Sequence, residues 1–310
     1  MDNKYHIPVM LQECIEGLDI KADGVYVDVT FGGGGHSKAI LQKLGPKGRL
    51  IAFDQDSDAE QNLPNDNRVT FFNANFRYIA NFVQLAGVDK VDGIIADLGI
   101  SSHHIDDNTR GFSFRFDTNL DMRMNRKASF TAADIVNTYT EQQLREVFEE
   151  YGEIKNARRL AQNIAQYRAT TPIKTTNQLI EAAGKCIDSH AENKYLATMF
   201  QALRIEVNGE IDALEEFLLA TEHVVKEGGR LVIMTYHSLE DRPVKNYIKA
   251  GNIQGKEQKD IYGNIIAPFA QVNRKVITPS EQELESNPRS RSAKLRIAQR
   301  IANSSNVQGL

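Results

Sequence analysis

Tyr26-Val-Asp-Val-Thr-Phe-Gly-Gly-Gly-Gly-His-Ser37 runs a short apolar strand straight into four consecutive glycines, and no other stretch limits the fold so tightly. Glycines at such a point let a ligand approach the backbone where no β-carbon fits. A helix opening over Lys38 to Leu44 turns its free N–H groups toward the same spot, favouring negative or electron-rich groups. The pattern predicts a nucleotide-type cofactor cradle. With Gly32 and Gly34 as the first members of the dinucleotide fingerprint, Ser37 takes the third small position. Leu50-Ile-Ala-Phe-Asp54 then reads as a second strand ending in a carboxylate, able to accept hydrogen bonds from two vicinal ribose hydroxyls. On these residues alone NAD and S-adenosylmethionine fit equally well, and a glycine turn beside a surface acid is the plain alternative.

The alternation continues. Val69 to Phe76 reads as a third strand, Tyr78 to Ala86 as a helix, and Val91-Asp-Gly-Ile-Ile-Ala-Asp97 as a fourth strand ending in an acid. Strands alternating with helices predict an α/β fold with a doubly wound parallel sheet, its ligands lying beyond the carboxyl ends of the strands. Asp54, Phe76 and Asp97 all fall at such ends, although an aromatic like Phe76 is equally at home in a core.

From Thr131 the pattern turns helical. Thr140-Glu-Gln-Gln143 is a capping box, and Ala157 to Tyr167, Thr176 to Ile187, Tyr195 to Val207 and Ile211 to Val225 repeat apolar residues at helical spacing. Strand character returns only at Arg230 to Tyr236, after Gly228-Gly229. A doubly wound sheet does not need so long a gap. Residues 107–189 therefore read as an inserted helical subdomain, with 1–106 and 190–310 forming a discontinuous sheet domain.

The chain has 310 residues, 41% of them hydrophobic, and no long apolar run, so it can bury a core and is not expected to span a membrane. Its first residues lack the basic and apolar regions of a signal peptide, which makes the cytoplasm the expected location. Cys14 and Cys186 suggest neither a disulfide framework nor a zinc site. His103, His104, Asp106 and Asp107 match no standard metal spacing, and no metal is expected.

The net charge of −4 argues against a general nucleic-acid binder, but its distribution does not. After Glu285 no acid follows, while Arg289, Arg291, Lys294, Arg296 and Arg300 crowd together. Such a tail suits phosphate contact; Leu295, Ile297 and Ile301 between the charges equally suit a strand or helix packed on the core. A second cluster, Arg110-Gly-Phe-Ser-Phe-Arg-Phe-Asp117 followed by Asp121-Met-Arg-Met-Asn-Arg126, interleaves cations with rings. Its phenylalanines stack on bases or anchor a long loop.

Taken together, His6-Ile-Pro-Val, Thr30 to Ser37, Asp97-Leu-Gly-Ile-Ser-Ser102, Arg110-Gly-Phe-Ser-Phe114, Leu120-Asp-Met-Arg-Met124, Phe200-Gln-Ala-Leu-Arg204, His237-Ser-Leu-Glu-Asp-Arg242 and Asn287-Pro-Arg-Ser-Arg-Ser292 resemble the bacterial small-subunit rRNA cytosine-N4 methyltransferase family (RsmH, or MraW). Lys249 to Val272 falls outside these motifs. The resemblance implies a Rossmann-like class I S-adenosylmethionine methyltransferase sheet with a helical insert. It also implies transfer to the exocyclic amine of a decoding-centre cytidine in small-subunit rRNA, with the assembled subunit a better expectation than naked RNA. A homodimer is left open. The family's cofactor residues map onto Gly34, Gly35, His36, Asp54, Phe76 and Asp97. His104 stands where the family usually carries glutamine, and Tyr236 where phenylalanine is common.

Cytosine N4 is a poor nucleophile because its lone pair is delocalised, so an acceptor for an amine hydrogen aids attack. Asp97 is the carboxylate in place, although it can instead hold the cofactor, and a backbone carbonyl near Leu98 or Gly99 is an alternative acceptor. The substrate side takes Arg110, Arg123, Arg204, Asn208, His237, Arg289 and Arg291. For Arg204 and Asn208, one turn apart, the competing reading is a salt bridge and a helix cap; for His237 it is a structural histidine. An NAD-dependent oxidoreductase and a non-catalytic RNA-binding protein are the rival functions. The imperfect third glycine and the basic-aromatic loops weigh against the first, and the glycine loop with both acids against the second.

Overall fold

The computed structural model describes residues 8–187 and 190–302, the side chain of Ser102 excepted; His6 and Ile7 of the first motif, and residues 188 and 189 at the expected domain boundary, lie outside them. The chain divides into two compact units: the residues up to Gly99 together with those from Ile211 onward, and Ile100–Glu210.

The first unit is built on a seven-stranded sheet: β1 (Val25–Asp28), β2 (Arg49–Phe53), β3 (Val69–Phe72), β4 (Val91–Asp97), β5 (Val225–Thr235), β6 (Phe269–Gln271) and β7 (Lys294–Arg300). Their order is β3-β2-β1-β4-β5-β7-β6, parallel from β3 to β5, with β7 antiparallel to both neighbours. This is a doubly wound, Rossmann-like sheet. Its central strands read as near-continuous apolar runs because helices cover both faces. Leu50, Ile51, Ala52 and Phe53 of β2 are wholly buried, and each large side chain among them contributes about 1.5–3 kcal/mol by leaving water.

Two elements depart from expectation. The third strand stops at Phe72, so Phe76 does not end a strand but opens a 3₁₀ turn, Phe76–Tyr78, in which the Asn75 side chain accepts the Arg77 N–H. Polar residues break the ladder there: Asn73 donates to the Asp54 carbonyl (3.0 Å) and Asn75 to Gln55 (3.0 Å). The basic tail resolves in favour of packing from Lys294 on. β7 buries Leu295, Ile297 and Ala298, while Ile301, beyond it, is exposed.

The helical unit is wider than 107–189. The helix Glu192–Asn208 buries Leu196, Met199, Phe200 and Leu203 among Leu144, Phe148, Leu160 and Ile164, an apolar face that only this unit covers. The Thr140 box forms as expected, and Thr131 with Asp134 and Thr175 with Gln178 build two more. No helix among the described residues is long and apolar enough to cross a membrane.

Candidate functional site

Three neighbouring parallel strands end in acids. β1 ends on Asp28, Asp54 follows β2 directly, and β4 ends on Asp97. The winding reverses between β1 and β4, the point at which such sheets take ligands beyond their carboxyl ends.

The glycine loop divides its labour. Gly34 adopts φ +74°, and a β-carbon on it would sit 2.9 Å from the Phe31 ring. Gly35 opens the helix Gly35–Lys43, and a β-carbon there would lie 2.1 Å from Pro8. Turn geometry and packing thus account for the two glycines expected to touch a cofactor. Of the four loop glycines, Gly33 is the one with no atom of the described residues within 4 Å of where its β-carbon would be. The loop is held from below: Gly32 N–H donates to Asp54 Oδ2 (2.8 Å), Asp56 N–H donates to Oδ1 (2.8 Å), and Asn62 donates to the Gly32 carbonyl (3.0 Å). A carboxylate oxygen accepts more than one hydrogen bond, so Asp54 retains capacity for ribose hydroxyls. Open space over Gly33, a helix start with no side-chain cap and this braced acid together fit a nucleoside cofactor.

His36 turns inward. Its buried ring brings Nε2 to 3.2 Å from the Val9 carbonyl, an arrangement that requires the proton on Nε2. Phe76 is half-buried and meets Phe217 edge-on at 5.3 Å, so its ring serves the core.

Asp97 is half-buried, its N–H donating to Thr30 Oγ1 (2.7 Å) and its Oδ1 accepting from the Tyr236 hydroxyl (2.7 Å). Burial pushes this carboxyl up to about 6; His36 and the Tyr236 hydrogen bond oppose the rise, and Asp28 and Glu240 add to it. Burial and the facing Asp97 push the Tyr236 phenol far up, so it remains a donor at any physiological pH. Oδ2 takes no hydrogen bond among the described residues. A carboxyl that titrates near neutrality with one oxygen free is suited to accepting a proton.

His237 precedes the helix Ser238–Ala250. Its Nε2 lies 3.0 Å from Glu240 Oε1 but off hydrogen-bond geometry, and its buried Nδ1 has no hydrogen-bond partner among the described residues. Glu240, 4% exposed, accepts the Tyr236 N–H on Oε2 (2.8 Å).

Residues 3–301 match the model of the MraW methylase family. The chain belongs to that family. It is 57% identical over 301 residues to the ribosomal RNA small subunit methyltransferase H of Parabacteroides distasonis, covering 97% of this chain and 99% of that one. The protein of the same name from Bacteroides thetaiotaomicron is 56% identical over 296 residues, covering 96% and 97%. Among solved structures, an rRNA methylase from Streptococcus thermophilus aligns over 94% of both chains at 13% identity and a TM-score of 0.38, too loose a likeness to add to the strand order.

Of the arginines of this methylase expected on the substrate side, Arg110, Arg123 and Arg204 are engaged by groups of their own unit. Arg110, 5% exposed, donates to the carbonyls of Arg123 (2.7 Å) and Met124 (3.1 Å). Arg123 pairs with both oxygens of Asp121 (2.7 and 2.6 Å). Arg204 clasps Glu210 (2.8 and 3.0 Å), and Asn208 accepts from Met124 N–H and donates to the Met122 carbonyl (both 2.8 Å). His104 belongs to the helical unit, buried with Nδ1 2.9 Å from Ser101 Oγ and its ring 4.8 Å from that of Phe112. Arg296 pairs bidentately with Asp241 (2.8 and 3.0 Å), whereas Arg289 and Arg291 stand exposed on the 3₁₀ turn Pro288–Ser292.

Asp28 is a member of the site that the sequence did not single out. Buried to 2% exposure, it accepts from Ser37 Oγ (2.6 Å) and Thr30 N–H (3.1 Å), locking the strand end to the helix start. An acid inside an apolar strand just before the glycines was the signal, because a carboxylate is not buried without partners.

Proposed function

We propose that the chain is an S-adenosylmethionine-dependent rRNA (cytosine-N4) methyltransferase acting on a decoding-centre cytidine, with the assembled small ribosomal subunit as substrate. Family membership and the names of its relatives support the reaction class. The observation that carries the chemistry is Asp97, with Oδ1 held by Tyr236 and Oδ2 available beside the glycine cradle.

When bound, S-adenosylmethionine supplies an electrophilic methyl on its sulfonium. Asp54 would hold the ribose hydroxyls, and the Gly33 backbone would let the nucleoside approach. Asp97 Oδ2 would accept a hydrogen bond from the target amine and take up the proton that the nitrogen gives up, as the nitrogen's bond to the methyl carbon replaces the methyl's bond to sulfur and that electron pair returns to sulfur. Such a positioned base contributes about 10²–10⁴-fold. The base must leave its stack to reach the cleft, at a few kcal/mol, which the exposed Arg289 and Arg291 would help offset by holding phosphates.

The test is a labelled-methyl transfer assay comparing unmodified small subunits, free small-subunit rRNA and an unrelated RNA, with mass-spectrometric identification of the product nucleoside. N4-methylcytidine in the subunit alone is expected. Label on another nucleoside would overturn the target assignment, and no label on any RNA would overturn the activity.

A further inference from the structure

The loop after β5 is more elaborate than a strand end requires. Glu240 is buried and accepts the Tyr236 N–H, and the phenol of Tyr236 reaches across to β4 to donate to Asp97. Gly99 is part of the same construction. It adopts φ +86°, and a β-carbon there would lie 3.2 Å from Tyr236 Cδ2, so the absence of a side chain leaves room for the ring. Thr30 fixes the backbone of Asp97 from the other side by accepting its N–H. Two strands, a loop and a helix start thereby hold one carboxylate in one orientation.

We infer that Tyr236 is a positioning residue for the methyl-transfer reaction. Its hydroxyl occupies Asp97 Oδ1, turns Oδ2 toward the substrate and stabilises the ionised carboxylate that accepts the amine hydrogen. The inference rests on Asp97 being the acceptor.

A hydrogen bond donated to a carboxylate favours its charged form. The other groups facing Asp97 are Asp28 at the end of β1, His36 in the helix Gly35–Lys43, Glu240 in the helix Ser238–Ala250, and the buried Cys14 thiol in the helix Leu11–Leu18. Asp28 and Glu240 raise its proton affinity and His36 lowers it. Tyr236 is the one among them that does so through a hydrogen bond to the carboxylate itself. Replacing Tyr236 with Phe keeps the ring over Gly99 and removes only the donor.

The experiment follows the Asp97 carboxyl carbon by ¹³C NMR through a pH titration, in the wild-type chain and in Tyr236→Phe, and then measures the pH profile of methyl transfer for both. The wild-type carboxyl should titrate near about 6. In Tyr236→Phe the titration and the acid limb of kcat should both move up by about one pH unit, the order of one hydrogen bond to a charged group. The KM for S-adenosylmethionine should stay unchanged. Unmoved titration with an unmoved acid limb overturns the inference, as does a loss of kcat equal at all pH values. Wild-type inactivity on every RNA overturns the functional reading instead. The titration, which needs no substrate, still decides the Tyr236–Asp97 coupling.

Discussion

The acid that closes β4 and the acids clasped by arginine make opposite use of burial. At Asp97 burial wins: the carboxyl is pushed up to about 6, although His36 and the Tyr236 phenol oppose the rise. At Asp241 burial also pushes upward, but the hydrogen bonds and charge of Arg296, with Lys294 beside it, outweigh it and hold the carboxyl below its ordinary value. Asp121 repeats the second pattern with Arg123 in the helical unit. A carboxylate paired with a guanidinium stabilises the fold and is held ionised and weakly basic, so it is a poor proton acceptor. One left half-paired destabilises the fold at neutral pH and is available to react. On the proposed role of Asp97, the contrast separates a reactive carboxylate from structural ones better than charge or sequence position.

The largest effect should come from breaking the contrast at its functional end. Asp97→Asn should lower kcat by about 10²–10⁴-fold. It should also stabilise the protein at pH 7.5 by about 1–3 kcal/mol, the linkage value of a carboxyl raised by roughly two pH units on burial. The sign follows from the direction of the shift. A raised folded-state value means that the contribution of Asp97 is fully favourable below its unfolded value. That contribution is lost as pH climbs through about 6. Urea denaturation of both proteins at pH 5 and 7.5 checks it: the stability gap should widen at the higher pH, and a gap independent of pH would remove Asp97 from the half-paired class.

At the structural end, Arg296→Met should cost up to about 3–5 kcal/mol, because Asp241 loses its bidentate partner and keeps only the Thr235 hydroxyl and Lys294 at 3.7 Å. Its linkage runs the other way. The stability that the pair gives is present above the unfolded carboxylate range and lost as pH falls through the depressed value of Asp241. Arg204→Met should also lower stability, by taking the bidentate partner from Glu210 in the helical unit. Chemical denaturation across pH measures both, and in either variant cofactor affinity by calorimetry should hold for the fraction that remains folded. Asp54→Ala lies between the extremes. Losing hydrogen bonds to a charged group should weaken S-adenosylmethionine by about 10–100-fold. Unchanged affinity by calorimetry would confine Asp54 to bracing Gly32.

Sequence made the sheet legible because its signals are local. The apolar runs at Leu50 to Phe53 and Val91 to Ala96, and the turn chemistry between them, placed Asp54 and Asp97 at strand ends without knowledge of any partner. What it left obscure depends on distant pairing. For Arg204 the sequence left a salt bridge and a substrate contact both open, and could not choose between Glu210, six residues on, and a phosphate, since both present the same geometry of oxygens. Arg110 is harder still, because its acceptors are main-chain carbonyls at 123 and 124, which every sequence supplies. Phe76 leaves the strand for a local reason: Asn73 and Asn75 end the ladder early, and asparagine caps and turns outweigh the propensity of the aromatic. The Tyr236–Asp97 bond joins residues 139 apart, so the hydroxyl carried no readable role until the strands were aligned.

The smallest expected effect is also the cleanest division of the basic tail. Arg296 and Arg300 are spent inside the sheet unit: the first clasps Asp241, and the second donates to the Pro268 carbonyl (2.9 Å) beside the ring of Phe269. Arg289 and Arg291 lie only a few residues earlier, exposed on a 3₁₀ turn whose buried Ser290 anchors it by donating to the Asn287 carbonyl (2.7 Å). Anchored backbone under exposed cations is the arrangement a phosphate contact needs, since the charge is presented without ordering a free chain. Arg289→Gln with Arg291→Gln should leave stability within about 0.5 kcal/mol. It should reduce the slope of log affinity for small subunits against log salt by about one to two, one counterion for each phosphate that is no longer neutralised. Arg296→Gln should do the reverse, lowering stability while leaving the slope of the folded fraction unchanged. If the double variant keeps the wild-type slope, the exposed pair joins Arg296 on the structural side, and the RNA contact must be sought on other cations.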